Sequence, residues 1–156
     1  NFGVKRFDRQ EGKRVHMHTA AGLLHADHRI PSLDYEILLR ATMALTRDMK
    51  QVQEVFRLAV FNVFAHNRDD HSKNFSFLMD AQGEWTFAPA YDLTFSYGPG
   101  GEHSSMVMSE GRNPGTAQLK KLGEKFQVAK PLAIIEEVRE SVSNWKEFAK
   151  EAGVGS

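Results

Sequence analysis

Nine consecutive polar and charged residues, 66–74, connect an apolar helical segment to a short strand, and this junction constrains the fold more than any other stretch. In segment 49–65, which precedes it, apolar residues recur at helical spacing and surround the helix at its C-terminal end. Segment 75–79, which follows it, reads as an alternating apolar strand. Solvated connections usually carry glycine, serine and proline instead. We therefore expect the polar residues to emerge from the core and to serve a function.

The rest of the sequence predicts a mainly α-helical α+β fold that contains two small β-hairpins. Segments 3–7 and 13–18 flank a polar turn and form the first predicted hairpin, whereas segments 75–79 and 84–87 form the second. Apolar periodicity and capping signals predict the longer helices, over residues 33–45, 49–65, 117–122 and 131–152.

Several residues are predicted to set the ends and faces of these helices. Ser32 is the predicted N-cap of the first, and Asp48 followed by Gln51 has the form of a capping box at the second. Thr116 is predicted to cap the third helix and Gly123 to end it. The last helix has a predicted apolar inner face formed by Leu132, Ile135, Val138, Val142, Trp145 and Phe148.

Length and composition limit the possible classes of protein. A chain of 156 residues suits one domain, which we expect to span residues 1–156. The formal net charge of zero provides no basic field, so we expect no direct binding of nucleic acid. The absence of cysteine excludes disulfides and thiolate sites and favours a reducing, cytoplasmic location. No apolar run predicts a membrane span, and the first residue, Asn1, suggests a piece of a longer protein.

Three side chains of the junction and the following hairpin suit phosphoryl transfer. Asp69 and Asn74 are five residues apart, as are the catalytic-loop Asp and Asn of protein kinases, and Asp92 follows the second hairpin. A loop carboxylate such as that of Asp69 accepts or orients the hydroxyl of an acceptor. Asn74 and Asp92 offer the oxygen ligands that Mg²⁺ prefers. The spacing by itself equally allows capping and turn roles for all three residues.

Neighbouring residues extend this candidate site. Lys73 is placed to neutralise phosphate or to pair with a carboxylate, and His71 and Tyr91 flank the two candidate metal ligands. The same cluster allows a second interpretation, a metal-dependent hydrolase whose ligands are imidazoles and carboxylates. No His-x-x-x-His pair occurs on a predicted helix, so the hydrolase geometry stays unspecified. Its candidate ligands are His66, Asp69, Asp70 and His71, supplemented by His16, His18, His25 and His28.

Segments 67–76 and 89–93 together resemble the C-terminal lobe of the HipA family of toxin serine/threonine kinases. Segment 4–9, Val-Lys-Arg-Phe-Asp-Arg, is similar to the strand at that family's lobe hinge, where backbone groups hold adenine. The resemblance implies a kinase-like helical lobe with distinct residue roles. Asp69 would be the catalytic Asp, Asn74 and Asp92 the Mg²⁺ ligands, Lys5 and Phe7 hinge residues, and His71 and Tyr91 neighbours of the nucleotide.

The resemblance also implies an activity and partners. Members of the family phosphorylate serine or threonine of a protein with ATP; their known targets are aminoacyl-tRNA synthetases, and their usual partner is a DNA-binding antitoxin. The family's phosphate-binding loop, autophosphorylated serine and ATP-anchoring lysine belong to an N-terminal lobe, which we expect to be absent from this chain. We therefore expect the fragment to be inactive or nearly so alone. The alternative from another class is a non-catalytic, pseudokinase-like module that binds an antitoxin or regulator.

Overall fold

The computed structural model describes residues 6–10, 12–25 and 33–153, which form the predicted α+β fold. Within these ranges the helices are α1 Ala20–Leu23, α2 Tyr35–Thr46, α3 Met49–Phe64, α4 Thr116–Lys125, α5 Pro131–Ser143 and α6 Trp145–Glu151. The strands are β1 Arg9–Gln10, β2 Lys13–Arg14, β3 His16–Thr19, β4 Leu33–Asp34, β5 Ser76–Met79, β6 Trp85–Phe87 and β7 Ser105–Met106. None of the helices in the described ranges has the length and apolar composition to cross a bilayer.

Helix α3 is the centre of the core, as its apolar stripe predicts. It packs between α2 and α5 and contacts α4. Its N-cap is Asp48, whose side chain accepts a hydrogen bond from the Lys50 backbone N–H at 2.8 Å. Gln51 does not complete a capping box; its side chain accepts from the Phe87 N–H at 2.9 Å and so ties α3 to β6. The fully buried residues of α3 are Val52, Val55, Phe56, Ala59 and Val60.

The two predicted hairpins join different partners. β5 and β6 form the second hairpin as predicted, but β3 pairs antiparallel with the other edge of β5, with His18 opposite Phe77. Segment 13–18 is therefore not one strand: β2 pairs with β1, Arg14 opposite Arg9, and the chain leaves that pair at Val15. β3 pairs with β5 over four residues, whereas β1 and β2 pair over only two, so β5 is the longer partner for β3.

Asp34, not Ser32, is the N-cap of α2, and Ser32 lies outside the described residues. The Asp34 side chain accepts from the Glu36 N–H at 2.8 Å. The same carboxylate accepts from the backbone of Met108 at 3.2 Å and Ser109 at 2.6 Å, which lie just beyond β7. Because β4 and β7 also pair in parallel, the start of α2 is fixed to a segment about seventy residues further along the chain.

Gly123 does not end α4, which continues through it to Lys125. The N-cap is Gly115, not Thr116, and its N–H donates to the Gln118 side chain at 3.2 Å. Gly123 is buried where α4 meets two neighbours: a Cβ added there would lie 2.5 Å from Pro131 Cβ and 3.1 Å from Phe56 Cζ. Glycine is therefore required by close packing and not by a helix end.

The last helix is broken at Asn144, whose N–H closes α5 by donating to the Glu140 and Val142 carbonyls. Asparagine is a poor helix former, and the chain restarts as α6 after it. Ile135 and Val138 face the core as predicted, together with Ile134. The prediction is wrong for three residues that are about half exposed or more: Leu132, Trp145 and Phe148.

Candidate functional site

The polar junction leaves the core at the end of α3. Ala65 closes the helix by donating to the Phe61 carbonyl at 2.8 Å, and His66 turns the chain with a φ of +51°. The Asn67 N–H then donates to the Asn62 carbonyl at 3.0 Å. A single 3₁₀ turn, Ser72–Asn74, leads into β5. The sequence between Asn67 and this turn is thus held at both ends by regular elements.

Asp69, the predicted catalytic carboxylate, lies at the exposed side of this junction. Its side chain is 53% exposed, and His71 Nε2 lies 3.9 Å from Asp69 Oδ1. The Asn74 side-chain amide donates from Nδ2 to the Asp69 carbonyl at 2.9 Å. The structure therefore brings Asp69, His71 and Asn74 together around one short loop.

The nitrogen and the oxygen of the Asn74 side-chain amide differ in their hydrogen bonding. Its nitrogen is engaged by the Asp69 carbonyl, whereas its oxygen makes no hydrogen bond with any residue that the structure describes. An amide held by its nitrogen presents its oxygen in a fixed direction, which suits a hard cation such as Mg²⁺.

Tyr91 links a second group of predicted residues. Its hydroxyl donates to the Lys73 carbonyl at 2.5 Å and therefore accepts from Ser76 Oγ, 2.6 Å away. Its ring lies 5.7 Å from that of Phe7, at a 37° tilt. Burial, followed by the negative charge of Asp92, raises the pKa of Tyr91. Tyr91 thus contacts Phe7, Lys73 and β5 and directly precedes Asp92 in the chain.

Asp92 is exposed and has a left-handed backbone, with a φ of +55°. Across the described ranges its carboxylate makes no hydrogen bond or ion pair, so both oxygens face open surroundings. Its connection to the other candidate residues runs through the adjacent Tyr91. The predicted hinge residue Lys5 lies outside the described residues, and Phe7 occupies a turn, not the strand that the sequence predicts.

Asp70 has the opposite environment to Asp69. It is completely buried, and its Oδ2 accepts from the Tyr35 hydroxyl at 2.9 Å and from His103 Nδ1 at 3.2 Å. Its Oδ1 accepts from the Ser105 N–H at 3.0 Å. Because three protein donors bind it, the Asp70 carboxylate has a structural role in the fold.

A buried chain of polar groups continues from Asp70 into α3. Asn62 Nδ2 donates to the Tyr35 hydroxyl at 2.7 Å, and Asn67 Nδ2 donates to Asn62 Oδ1 at 3.0 Å. Burial, with the charge of Asp70 as the second cause, raises the pKa of Tyr35 well above its usual value. Sequence reasoning missed this network. Its one visible signal is Asn62, a polar residue inside the apolar stripe of α3.

The hydrolase interpretation is not supported by this arrangement. No group of three His, Asp or Glu side chains within the described ranges is arranged to hold a metal ion. Asp70, one of its candidate ligands, is occupied by Tyr35, His103 and Ser105. His28 lies outside the described residues.

Comparisons with known proteins place the chain in a family and identify similar proteins. Residues 1–145 match the model of the HipA-like C-terminal domain. The chain is 33% identical over 121 residues to the Sinorhizobium fredii protein named "Putative kinase Y4mE", an alignment that covers 78% of this chain and 23% of that protein.

The fold is similar to that of HipA from Shewanella oneidensis MR-1, solved as a toxin–antitoxin complex with HipB and its operator DNA. The TM-score is 0.66 at 19% sequence identity, and the match covers 89% of this chain and 39% of HipA. The chain thus spans about a quarter of its curated relative and well under half of HipA. The match to the family model over residues 1–145 means that the chain belongs to the family of HipA-like C-terminal domains.

Proposed function

We propose that the chain is the helical catalytic lobe of an ATP- and Mg²⁺-dependent protein serine/threonine kinase of the HipA type. The observation that carries this proposal is the hydrogen bond from Asn74 Nδ2 to the Asp69 carbonyl. It fixes the two residues that kinases separate by five positions, and it leaves the Asp69 carboxylate and the Asn74 oxygen exposed to a reactant. Membership of the HipA-like family and the similarity to the protein named "Putative kinase Y4mE" support the same activity.

The donor set fits a magnesium ion bound sparsely by protein. Asn74 and Asp92 would hold it through one amide oxygen and one carboxylate, and Mg²⁺ commonly takes one or two protein carboxylates and completes its shell with water and phosphate. When bound, the ion neutralises charge on the phosphate oxygens. Asp69 orients the acceptor hydroxyl and accepts its proton as the phosphoryl group is transferred. His71, 3.9 Å from Asp69, helps to keep that carboxylate directed to the acceptor.

The nucleotide is proposed to lie against the Phe7 and Tyr91 rings, because these form an aromatic surface next to the candidate metal residues. Lys73 contributes positive charge on the turn that carries Asn74. Lys5 would complete the hinge, as the family resemblance implies. The acceptor is a protein serine or threonine, with an aminoacyl-tRNA synthetase as the proposed substrate. The complex of Shewanella HipA with HipB supports a DNA-binding antitoxin as the partner.

The proposal is tested by phosphoryl transfer in the full-length protein. Asp69→Asn keeps the size and hydrogen-bonding shape of the side chain but cannot take up a proton at neutral pH. We expect its rate of Mg²⁺-dependent phosphorylation of protein to fall by about 10²–10⁴-fold, as for loss of a general base. Asp80→Asn, in the turn between β5 and β6, is the control and should retain the wild-type rate.

Two outcomes would contradict the kinase assignment. If Asp69→Asn matches the wild type, Asp69 is not the catalytic residue. If the wild-type protein binds Mg²⁺–ATP in a titration but transfers no phosphate to any protein, the non-catalytic binding module is the correct function.

A further inference from the structure

Both neighbours of Asp69 in the chain are held by the same short segment, residues 103–105. On one side, the Arg68 carbonyl accepts from the Ser104 N–H and from Ser104 Oγ, each at 3.0 Å. On the other side, the Asp70 carbonyl accepts from Ser105 Oγ, and the Asp70 carboxylate accepts from the Ser105 N–H. With the Arg68 carbonyl on one side of Asp69 and the Asp70 carbonyl and side chain on the other held in this way, residues 103–105 determine where the Asp69 side chain leaves the backbone.

Asp70 is the centre of this attachment. Its buried carboxylate receives three donors from two parts of the chain: Tyr35 at the start of α2, and His103 and Ser105 in segment 103–105. A buried carboxylate destabilises a fold unless hydrogen bonds satisfy it, and here both oxygens are satisfied. While Asp70 is ionised, its bond with His103 requires the imidazole proton to be on Nδ1.

We propose that Asp70 is a positioning residue for phosphoryl transfer. It touches no reactant; it holds the adjacent Asp69 in the orientation that meets the acceptor hydroxyl, acting through the backbone that the two residues share. This inference rests on the proposed kinase function and adds to it a role for a buried residue. A loop carboxylate that is free to swing loses the alignment on which transfer depends.

Two substitutions in the full-length protein separate positioning from charge. Asp70→Ala removes every acceptor. Asp70→Asn keeps the shape: its oxygen still accepts from Ser105, and its amide donates to the Tyr35 oxygen and to His103 Nδ1 once the imidazole proton moves to Nε2. We expect Asp70→Ala to lower kcat by about 100-fold while the KM for Mg²⁺–ATP stays within about threefold, and Asp70→Asn to recover kcat to within about tenfold of the wild type.

A destabilised core variant controls for loss of stability alone. Leu119→Ala, in the buried face of α4, should lower the unfolding midpoint without touching the junction. Kinetics are compared at a temperature where all variants are folded. If Leu119→Ala loses kcat as Asp70→Ala does, or if Asp70→Asn recovers none of it, Asp70 has no positioning role and the proposal is overturned.

Hydrogen exchange decides the same question without catalysis. In the full-length protein, Asp70→Ala should speed amide exchange by about tenfold or more across residues 66–74 and leave α5 unchanged, because local opening is confined to the released loop. Unchanged exchange at the junction overturns the proposal even in an active kinase. Absence of phosphoryl transfer by the wild type, together with faster exchange in the variant, rejects the kinase function while the role of Asp70 in fixing the loop stands.

Discussion

At the scale of single residues, Asp69 and Asp70 are neighbours with opposite environments. The five-residue spacing to Asn74 predicts Asp69 as the catalytic carboxylate, and the hydrogen bond between the Asn74 side chain and the Asp69 carbonyl is local in the sequence. Nothing local marks Asp70 as the buried one, since its donors Tyr35 and Ser105 are both 35 residues away. Short-range pairings could therefore be predicted, whereas the polar network behind them could not.

Asp92 provides a test of the candidate metal site. Its backbone is left-handed, which Asn tolerates better than Ala does, so Asp92→Asn removes the charge with less strain than Asp92→Ala. We expect both variants of the full-length protein to lose metal-dependent ATP use by about 10²–10³-fold, the usual effect of removing one electrostatic stabiliser. The measurement is Mg²⁺-dependent ATP turnover.

Glu84, an exposed carboxylate of the hairpin that precedes Asp92, offers the matched control: Glu84→Ala should behave as the wild type. Undiminished turnover in both Asp92 variants would remove this residue from the site.

The raised pKa of Tyr35 predicts that the protein loses stability at alkaline pH. Its folded pKa lies above the unfolded value of about 10, so the neutral phenol stabilises the fold fully below that pH and does so less as the pH rises toward the folded value. Tyr35→Phe should cost about 1–3 kcal/mol at pH 8, because Asp70 and Asn62 each lose a partner. Urea unfolding between pH 8 and 11 measures the free energy of unfolding of both proteins. The difference between Tyr35→Phe and the wild type should become smaller above pH 10.

Exposed Tyr97 is the control for that experiment, and Tyr97→Phe should follow the wild type at every pH. If the free energies of unfolding of Tyr35→Phe and the wild type differ by a constant amount up to pH 11, folding does not raise the pKa of Tyr35.

At the scale of elements, apolar periodicity predicted the helices and left two packing details undetermined. The stripe on α3 is a property of its own sequence, so it could be read directly. The passage of α4 through Gly123 depends on how near Phe56 and Pro131 lie in space, which periodicity does not report. The exposure of Trp145 likewise follows from the break at Asn144 and not from its hydrophobicity.

Gly123→Ala should destabilise the protein although alanine is the better helix former. Helix propensity favours the change by about 1 kcal/mol, but the new Cβ would meet Pro131 Cβ at 2.5 Å. Overpacking of this kind costs about 1–3 kcal/mol, so we expect a net loss in the free energy of unfolding. Urea denaturation measures it, and exposed Lys121→Ala on the same helix should be neutral. A more stable Gly123→Ala would show that α4 can shift outward freely.

The ion pair between α3 and α5 is expected to contribute little. Arg57 Nη1 and Nη2 lie 2.9 and 3.3 Å from the two Glu137 oxygens, in a bidentate pair whose side chains are partly exposed. A double-mutant cycle with Arg57→Ala and Glu137→Ala should give a coupling of about 0.2–1 kcal/mol that declines with added salt. Salt-independent coupling above this range would mean that the pair is effectively buried.

At the scale of the whole molecule, the chain corresponds to a part of its longer relatives. It spans 23% of the curated relative and 39% of Shewanella HipA. The sequence motifs were sufficient to identify the family, because they lie in two continuous segments on either side of one hairpin. The same motifs cannot supply the remainder of a phosphate-binding site that the resemblance assigns to a different lobe.

We expect residues 1–156 alone to transfer phosphate at least about 10²-fold more slowly than the full-length protein, since electrostatic contacts to the phosphates would be missing. The measurement compares phosphorylation of the same protein acceptor by equal concentrations of the two proteins. Circular dichroism should first establish that the isolated chain is folded. Turnover by the isolated chain close to the full-length rate would contradict this expectation.

The distribution of partners around Asp70 has a consequence for biosynthesis. Tyr35 is made thirty-five residues before it and Ser105 thirty-five residues after it. When Asp70 has just left the ribosome, residues 103–105, which hold it in the folded protein, have not yet emerged. The Asp70 carboxylate therefore stays hydrated, and the adjacent loop is not yet fixed. Release of residues 103–105 from the exit tunnel is then the step at which this region first becomes able to order.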